Sequence, residues 1–454
     1  MTAHLAVVGN SAAALSALEA LRRHDRVTRV TMVSAEPGPA YSRVLLPYYL
    51  RGKVSRDGLV IRGPEYYARM GAELLSGVRV ESVDAGAREL ELAGGRRLAY
   101  DRLLLATGSR PARPPIPGIG HPAVRSLWTL DDALGLDPVL RPGARALVLG
   151  SGFVALQAAW AARARGADVT VVELEDRIMP RVLDAGAAAV LHGRLEAHGV
   201  PVYAGAVTEA LEDENGRVRV TVAGRDPFTI DVVIVGTGAR PNDELLPQAL
   251  EEGRPGIPVD AAMRTPVSGV YAAGDVTRGP TALGGPPEIH ALWPTAVEQG
   301  KVAGANLAAE LAGAGAPSGG FTPPAAAAPS GAGQPPPAVA YRGSLSMNVT
   351  EMFGLTVASL GRFVDTEGDD VLVTDGLPGL AYFKLVSRDG LPVGAVALGG
   401  AGGAVILGRL RPYVRWGKPL PELSSFLDGR DPAFLPGRPL PGSLGGLARA
   451  ARGG

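Results

Sequence analysis

Residues 145–177 read RALVLGSGFVALQAAWAARARGADVTVVELEDR, a complete strand–turn–helix–strand unit. The apolar run 145–149 predicts a strand, Gly150-Ser-Gly152 a tight turn, and the Ala-rich run closed by Gly166 a helix. A second strand over 168–172 ends in Glu173, 23 residues after Gly150. In such a unit the turn and the helix N-terminus bring backbone N–H groups to a pyrophosphate, and the acid takes the hydroxyls of the adenosine ribose.

The N-terminus carries a second, degraded copy. HLAVVGNSAAALSALEALRR (4–23) predicts a strand over 4–8, a turn at Gly9 and a helix to about Arg23. A strand over 29–34 follows, with Glu36 lying 27 residues after Gly9. Its motif is G-x-S-x-x-A (Gly9, Ser11, Ala14), which alone fits any βαβ unit with a tight turn. What joins the copies lies downstream. AYDRLLLATGSRP (99–111) and TIDVVIVGTGARP (229–241) share an Asp (Asp101, Asp231), an apolar run and Thr-Gly-x-Arg-Pro. Each is preceded by a Gly-punctuated hairpin, 88–100 and 219–230. The duplicated unit is therefore βαβ, meander, strand, Thr-Gly, and the chain should hold two dinucleotides. Nicotinamide moves hydride only, whereas a flavin accepts hydride and releases single electrons, so FAD plus NAD(P)H is the economical pair.

Composition narrows the chemistry. The 454 residues hold 45 Lys plus Arg against 45 Asp plus Glu, which argues against a nucleic-acid partner. There are no cysteines, so no disulfide, redox dithiol or Cys-ligated cluster forms within this chain. The histidines show no paired metal-ligand spacing, and no metal is expected. The N-terminus enters a strand without a charged leader, and AVALGGAGGAVILG (395–408) is too short and Gly-rich to span a bilayer. The expectation is a cytoplasmic protein.

With these residues in hand, the chain resembles the two-dinucleotide flavoproteins of the pyridine nucleotide–disulfide oxidoreductase superfamily, over about 3–312 and more loosely over 338–430. TPVSGVYAAGDV (265–276) adds a third matching element, whose Asp275 the resemblance assigns to the flavin ribityl chain. The implied fold is α/β: two nested Rossmann-like domains with a small C-terminal α+β domain. The FAD domain is expected at 1–112 and 237–312, the NAD(P) domain at 113–236, and the C-terminal domain at 339–430. Pro/Gly/Ala-rich residues 313–338 read as a flexible linker and 431–454 as a tail.

The missing cysteines place the resemblance in the Cys-less branch, with rubredoxin and ferredoxin reductases and the flavin module of NADH-dependent nitrite reductases. PAYSRVLLPYYLRGK (39–53) is similar to the stretch that lies over the flavin there. Residue by residue, the resemblance assigns Gly9, Ser11, Ala12, Glu36, Arg43, Thr107, Gly108, Asp275, Trp293 and Thr295 to FAD. It assigns Gly150, Gly152, Phe153, Val154, Glu173 and Gly238 to the nicotinamide cofactor. Arg43 and Lys53 are the catalytic candidates: a fixed cation beside the flavin favours its anionic reduced form, and a surface salt bridge is the bland reading of Arg43. HALWPTAVEQGKVAGANLAAEL (290–311) predicts a helix; the resemblance implies that its N-terminus, with Trp293, faces the flavin, and the plain reading is a core Trp before Pro at N1. Phe153 is either an aromatic gate for nicotinamide or a helix-packing residue. Gln157 departs from the Glu of many relatives, so a pairing of that acid with a flavin-side cation is missing.

Glu173 favours NADH by repelling a 2′-phosphate, with Ala155 and Arg177 as counter-signs. The expected activity is an FAD-dependent NADH:acceptor reductase serving a small electron-carrier protein or a reductase subunit. An NADH oxidase or diaphorase using oxygen or quinone, and a flavin-bearing redox switch without turnover, are the alternatives. No His lies beyond His290, so the C-terminal domain cannot supply a catalytic His. Packing, partner docking or homodimer contact remain as its roles.

Overall fold

The computed structural model describes residues 2–312 and 339–421. The expected linker 313–338 and tail 431–454 lie outside the described residues. The fold is α/β. Contacts divide it into two compact units, one from Met1–Ala112 and the described part of Ala239–Ser344, the other from Arg113–Gly238 and the described residues from Leu345 on. The C-terminal sheet groups by contacts with Arg113–Gly238.

The first unit is built on a five-stranded parallel sheet. Its order is Val270–Ala272, Arg102–Leu105, His4–Val8, Arg29–Ser34, Ala72–Ser76. Both faces are covered, which is why LAVV and LLL are continuous apolar runs without alternation. The first glycine helix, Ala12–His24, lies against the long helix Trp293–Ala312. Gly300 and Gly304 make that contact: a Cβ on either would overlap the carbonyl oxygen of Ala13 or Ala17. Two helical glycines cost about 1 kcal/mol each in propensity, and in return the backbones touch. The strands Val80–Asp84, Glu89–Leu92 and Arg96–Ala99 form an antiparallel meander.

The second unit repeats this plan. Its parallel sheet runs Val202–Tyr203, Asp168–Val172, Arg145–Leu149, Val232–Val235, Val124–Ser126. Its meander is Thr208–Glu214, Arg217–Val222 and Phe228–Ile230. Equivalence reaches individual hydrogen bonds. Gly9 N–H donates to Val33 O and Gly150 N–H to Val172 O, both at 2.8 Å. The repeated Asp is explained too: Asp101 accepts from His4 N–H at 2.7 Å and Asp231 from Arg145 N–H at 2.8 Å, each locking the start of a central strand.

Thr-Gly-x-Arg-Pro has its own use. Ser109–Pro111 and Ala239–Pro241 pair antiparallel, with Arg110 opposite Arg240, as a ribbon where the chain leaves and re-enters the first unit.

The C-terminal sheet is antiparallel, in the order Met347–Met352, Leu355–Gly361, Leu391–Gly399, Leu380–Arg388, Asp369–Thr374, with helix Gly402–Trp416 packed on it. Its hairpin turns at Asp389-Gly390, both with positive φ (50° and 74°), as a two-residue hairpin turn requires. The apolar stretch 395–408 divides between the last strand and this helix. No helix among the described residues is long and apolar enough to cross a membrane.

Candidate functional site

In the first unit Gly9 sits at φ +128°, and a Cβ there would overlap the carbonyl oxygen of Ala106. Only glycine lets the turn lie this close to the neighbouring strand. Ser11 is the N-cap of helix Ala12–His24 but makes no side-chain cap, and the first turn carries no acid. The helix therefore presents its first N–H groups uncapped at the C-terminal edge of the sheet, the chemistry a pyrophosphate needs. Asn10, inside the turn, is held by Tyr67 Oη at 2.8 Å.

Glu36 follows the second strand, and its carboxylate accepts from both Tyr41 Oη and Arg43. Arg43, expected as a cation beside the flavin ring, pairs with Glu36, and its field also reaches Asp275. Lys53 is exposed in the turn after helix Leu46–Leu50 and has no ion pair among the described residues.

Asp275 follows the edge strand Val270–Ala272. Ser109 Oγ donates to it at 2.8 Å. Burial pushes its carboxyl above the ordinary carboxylate range, while the Ser109 hydrogen bond and Arg43 pull it back. Gln299, buried in the long helix, fixes this loop by accepting from Gly274 N–H (2.7 Å) and Thr277 Oγ1 (3.0 Å). Nothing in the sequence around Gln299 distinguished it from any helical Gln. Trp293 starts the helix and is 36% exposed, so it is no core tryptophan, whereas Thr295 is buried. Thr107 Oγ1 is taken by the backbone carbonyl of Asn242 (2.7 Å), whose side chain donates back to Thr107 O (2.9 Å). Space beside Gly108 is open.

In the second unit Gly150 has φ +92°, and a Cβ would stand 2.6 Å from Gly236 O. Gly152 caps helix Phe153–Ala164 without a side chain, no acid follows in the first turn, and a Cβ there meets nothing within 4 Å. Val154 beside this turn is exposed and Phe153 half-buried. Ala155 is fully buried: a Cβ on Gly236 would stand 2.6 Å from its methyl, so Gly236 makes room for it. Glu173 is 8% exposed and held from two sides, by Ser151 Oγ and by Glu175 N–H at 2.9 Å. Arg177, the counter-sign for NADPH, pairs with Asp176 at 2.9 Å. Gly238 lies at φ +110° with open space around it.

Gln157 is buried, and its Nε2 donates to Thr350 Oγ1 and Glu351 O, both at 2.7 Å. A Glu there would have no proton to give the Glu351 carbonyl, so the departure at 157 fits the docking of the C-terminal sheet.

Both cradles fit a dinucleotide by their donors: uncapped helix N-termini, a first turn glycine (Gly9, Gly150) that leaves no room for a side chain, and an acid beyond each second strand. The comparisons agree. Residues 3–300 match the model of the pyridine nucleotide-disulphide oxidoreductase family, and the chain belongs to that family. It is an FAD- and NAD(P)H-dependent oxidoreductase. Among its relatives is the NADH-dependent phenylglyoxylate dehydrogenase subunit epsilon of Aromatoleum evansii, 31% identical over 81% of this chain and 81% of that one. Another is the ferredoxin–NAD(+) reductase component of the biphenyl dioxygenase system of Paraburkholderia xenovorans, 33% identical over 62% of this chain and 69% of the relative. Among solved structures, the NAD-dependent persulfide reductase of A. fulgidus superimposes with TM-score 0.78 at 27% identity, covering 92% of this chain and 77% of that one. With no cysteine, this chain runs no chemistry through a thiol of its own.

Proposed function

We propose that the chain oxidises NADH, passes the hydride to bound FAD, and delivers the electrons one at a time to a small ferredoxin- or rubredoxin-like carrier or a reductase partner. The observation that carries this reading is the second glycine cradle ending in the buried acid Glu173, in a chain without cysteine. Bound flavin supplies the conversion of a two-electron donor into one-electron steps. The chain's residues bind and orient. Gly9, Ser11, Ala12 and Gly108 line the FAD cradle, Glu36 takes its ribose, and Asp275 takes the ribityl hydroxyls.

Arg43 lies in the field of both acids, Glu36 and Asp275, and is assigned to the pyrophosphate between them. Thr295, near the start of the long helix, and Trp293 belong to the isoalloxazine end. Gly150, Gly152, Phe153, Val154 and Gly238 form the nicotinamide-nucleotide cradle. Glu173 holds two ribose hydroxyls and disfavours a 2′-phosphate, and the Asp176 partner of Arg177 keeps that cation from rewarding one. The relatives named for NADH and for ferredoxin support the donor and the class of acceptor. NADH is a cytoplasmic pool, which supports a cytoplasmic location.

The test is an anaerobic titration of the flavin-loaded protein with NADH and, in parallel, NADPH, followed by a carrier protein. NADH should bleach the flavin stoichiometrically, and oxidised ferredoxin should restore the colour. A flavin that neither nucleotide reduces sinks the proposal. Fast reoxidation by air with no response to any carrier replaces it by an oxidase. Glu173→Ala should raise the KM for NADH and leave FAD bound.

A further inference from the structure

The segment between strand Asp168–Val172 and helix Ala185–Ala197 is pinned at both ends by side chains. At its start Ser151 Oγ donates to Glu173 and accepts Met179 N–H at 3.0 Å. Met179 is 1% exposed with φ +50°, and its carbonyl accepts from Val182 N–H (2.9 Å) and Leu183 N–H (3.0 Å). Hydrogen bonds therefore link the ribose acid through Ser151 and Met179 to Leu183, and the next residue along the chain is the far end of the loop.

That far end is Asp184. It caps the helix through Ala187 N–H at 3.0 Å, and its Oδ2 also accepts Tyr382 Oη at 2.6 Å and Lys384 Nζ at 3.0 Å. Lys384 is 5% exposed by side chain and bonds Asp365 at 2.7 Å as well. The ring of Tyr382 lies on the first helical turn, where only Gly186 leaves it room: a Cβ there would stand 2.7 Å from the ring. Tyr382 and Lys384 sit on one strand of the C-terminal sheet. A buried ion pair is weak evidence for stability, since apolar residues of the same volume often serve as well. What a carboxylate with three directed donors does better is hold a backbone segment in one place.

We infer that Tyr382 and Lys384 are positioning residues for NADH: through Asp184 the C-terminal sheet holds the 174–183 loop, and with it Ser151 and Glu173, in the geometry that receives the nucleotide ribose. This gives the C-terminal sheet a part in donor binding, and it rests on the reading of Glu173 as the ribose acid.

The experiment uses the flavin-loaded full chain and compares Lys384→Met, Tyr382→Phe, Lys384→Arg and Glu173→Gln for FAD content, thermal midpoint, and KM and kcat with NADH and ferricyanide. A loop displaced by a fraction of an ångström should raise the KM for NADH about tenfold in Lys384→Met and less in Tyr382→Phe, with kcat within about twofold. FAD content should not change, and Lys384→Arg should restore most of the loss. A lowered thermal midpoint with unchanged KM means the cluster only glues the sheet, and the inference fails. If Glu173→Gln raises KM while the Tyr382 and Lys384 variants do not, only this inference falls. If Glu173→Gln is inert, the ribose assignment falls and takes the inference with it. Should Lys384→Met not fold, Tyr382→Phe, which loses a single hydroxyl, decides.

Discussion

Substituting alanine for Gly9 and for Gly150, one at a time, should separate the two cofactors. Both glycines have positive φ, +128° and +92°, where an L-residue is strained by about 1–2 kcal/mol. Each new Cβ also collides with main chain. At Gly150 it would stand 2.6 Å from Gly236 O, well inside the ~3.5 Å of an ordinary non-bonded contact, and at Gly9 it lies closer still to Ala106 O. The residues that carry these carbonyls are anchored at the ends of sheet strands, Ala106 N–H bonding Val8 O and Gly236 N–H bonding Leu149 O at 2.8 Å. The turn must move instead, at an overpacking cost of roughly 1–3 kcal/mol.

Together these terms come to about 2–5 kcal/mol, a loss of affinity of roughly 30-fold or more if expressed at the cradle. Gly9→Ala should be isolated with little flavin and regain colour only at high FAD concentration. Gly150→Ala should keep a full complement of flavin and show the loss in the KM for NADH. The assays are flavin absorbance per chain and steady-state kinetics. A Gly150→Ala protein that loses its flavin while its KM for NADH stays unchanged would refute the assignment of the copies. Equal loss of both cofactors in both variants would refute their independence.

Two further outcomes follow from the packing and the charges. Gly300→Ala gains helix propensity of about 1 kcal/mol but drives a Cβ into Ala13 O, so it should destabilise by a net 1 kcal/mol or more. Gly193→Ala, on an exposed helix face with nothing within 4 Å, should instead stabilise by roughly 0.5–1 kcal/mol, and opposite shifts in urea midpoints check the pair. The flavin-free protein should also show a signature of Asp275. Burial lifts its pKa above the ordinary carboxylate value, so between the two values the folded state binds more protons than the unfolded one. Stability from this group is therefore lost as pH rises through that window, and Asp275→Asn should flatten the decline. Urea unfolding at a series of pH values measures this, and identical slopes in both proteins would remove Asp275 as the cause.

Local signals made the framework legible. Apolar runs, Gly9 and Gly150, and the acids after each second strand determine strand, turn and helix by forces acting within some thirty residues. The repeated Asp and Thr-Gly announced the duplication for the same reason, and zero cysteines excluded thiol chemistry outright. Tertiary structure decided who partners whom. Arg43 reads in sequence as a cation near the flavin ring or one side of a salt bridge, and the fold supplies Glu36 as its partner. Gln157 reads as a lost acid, yet it reaches Thr350 on the C-terminal sheet, 193 positions away. Gln299 carried no motif and still anchors the Asp275 loop. Gln157 and the cluster of Tyr382, Lys384 and Asp184 help tie the C-terminal sheet to the rest of the second unit. Periodicity and turn chemistry are properties of a segment and can be read along it. A directed hydrogen bond between distant side chains exists only once the backbone has brought them together, so no pattern along the chain records it.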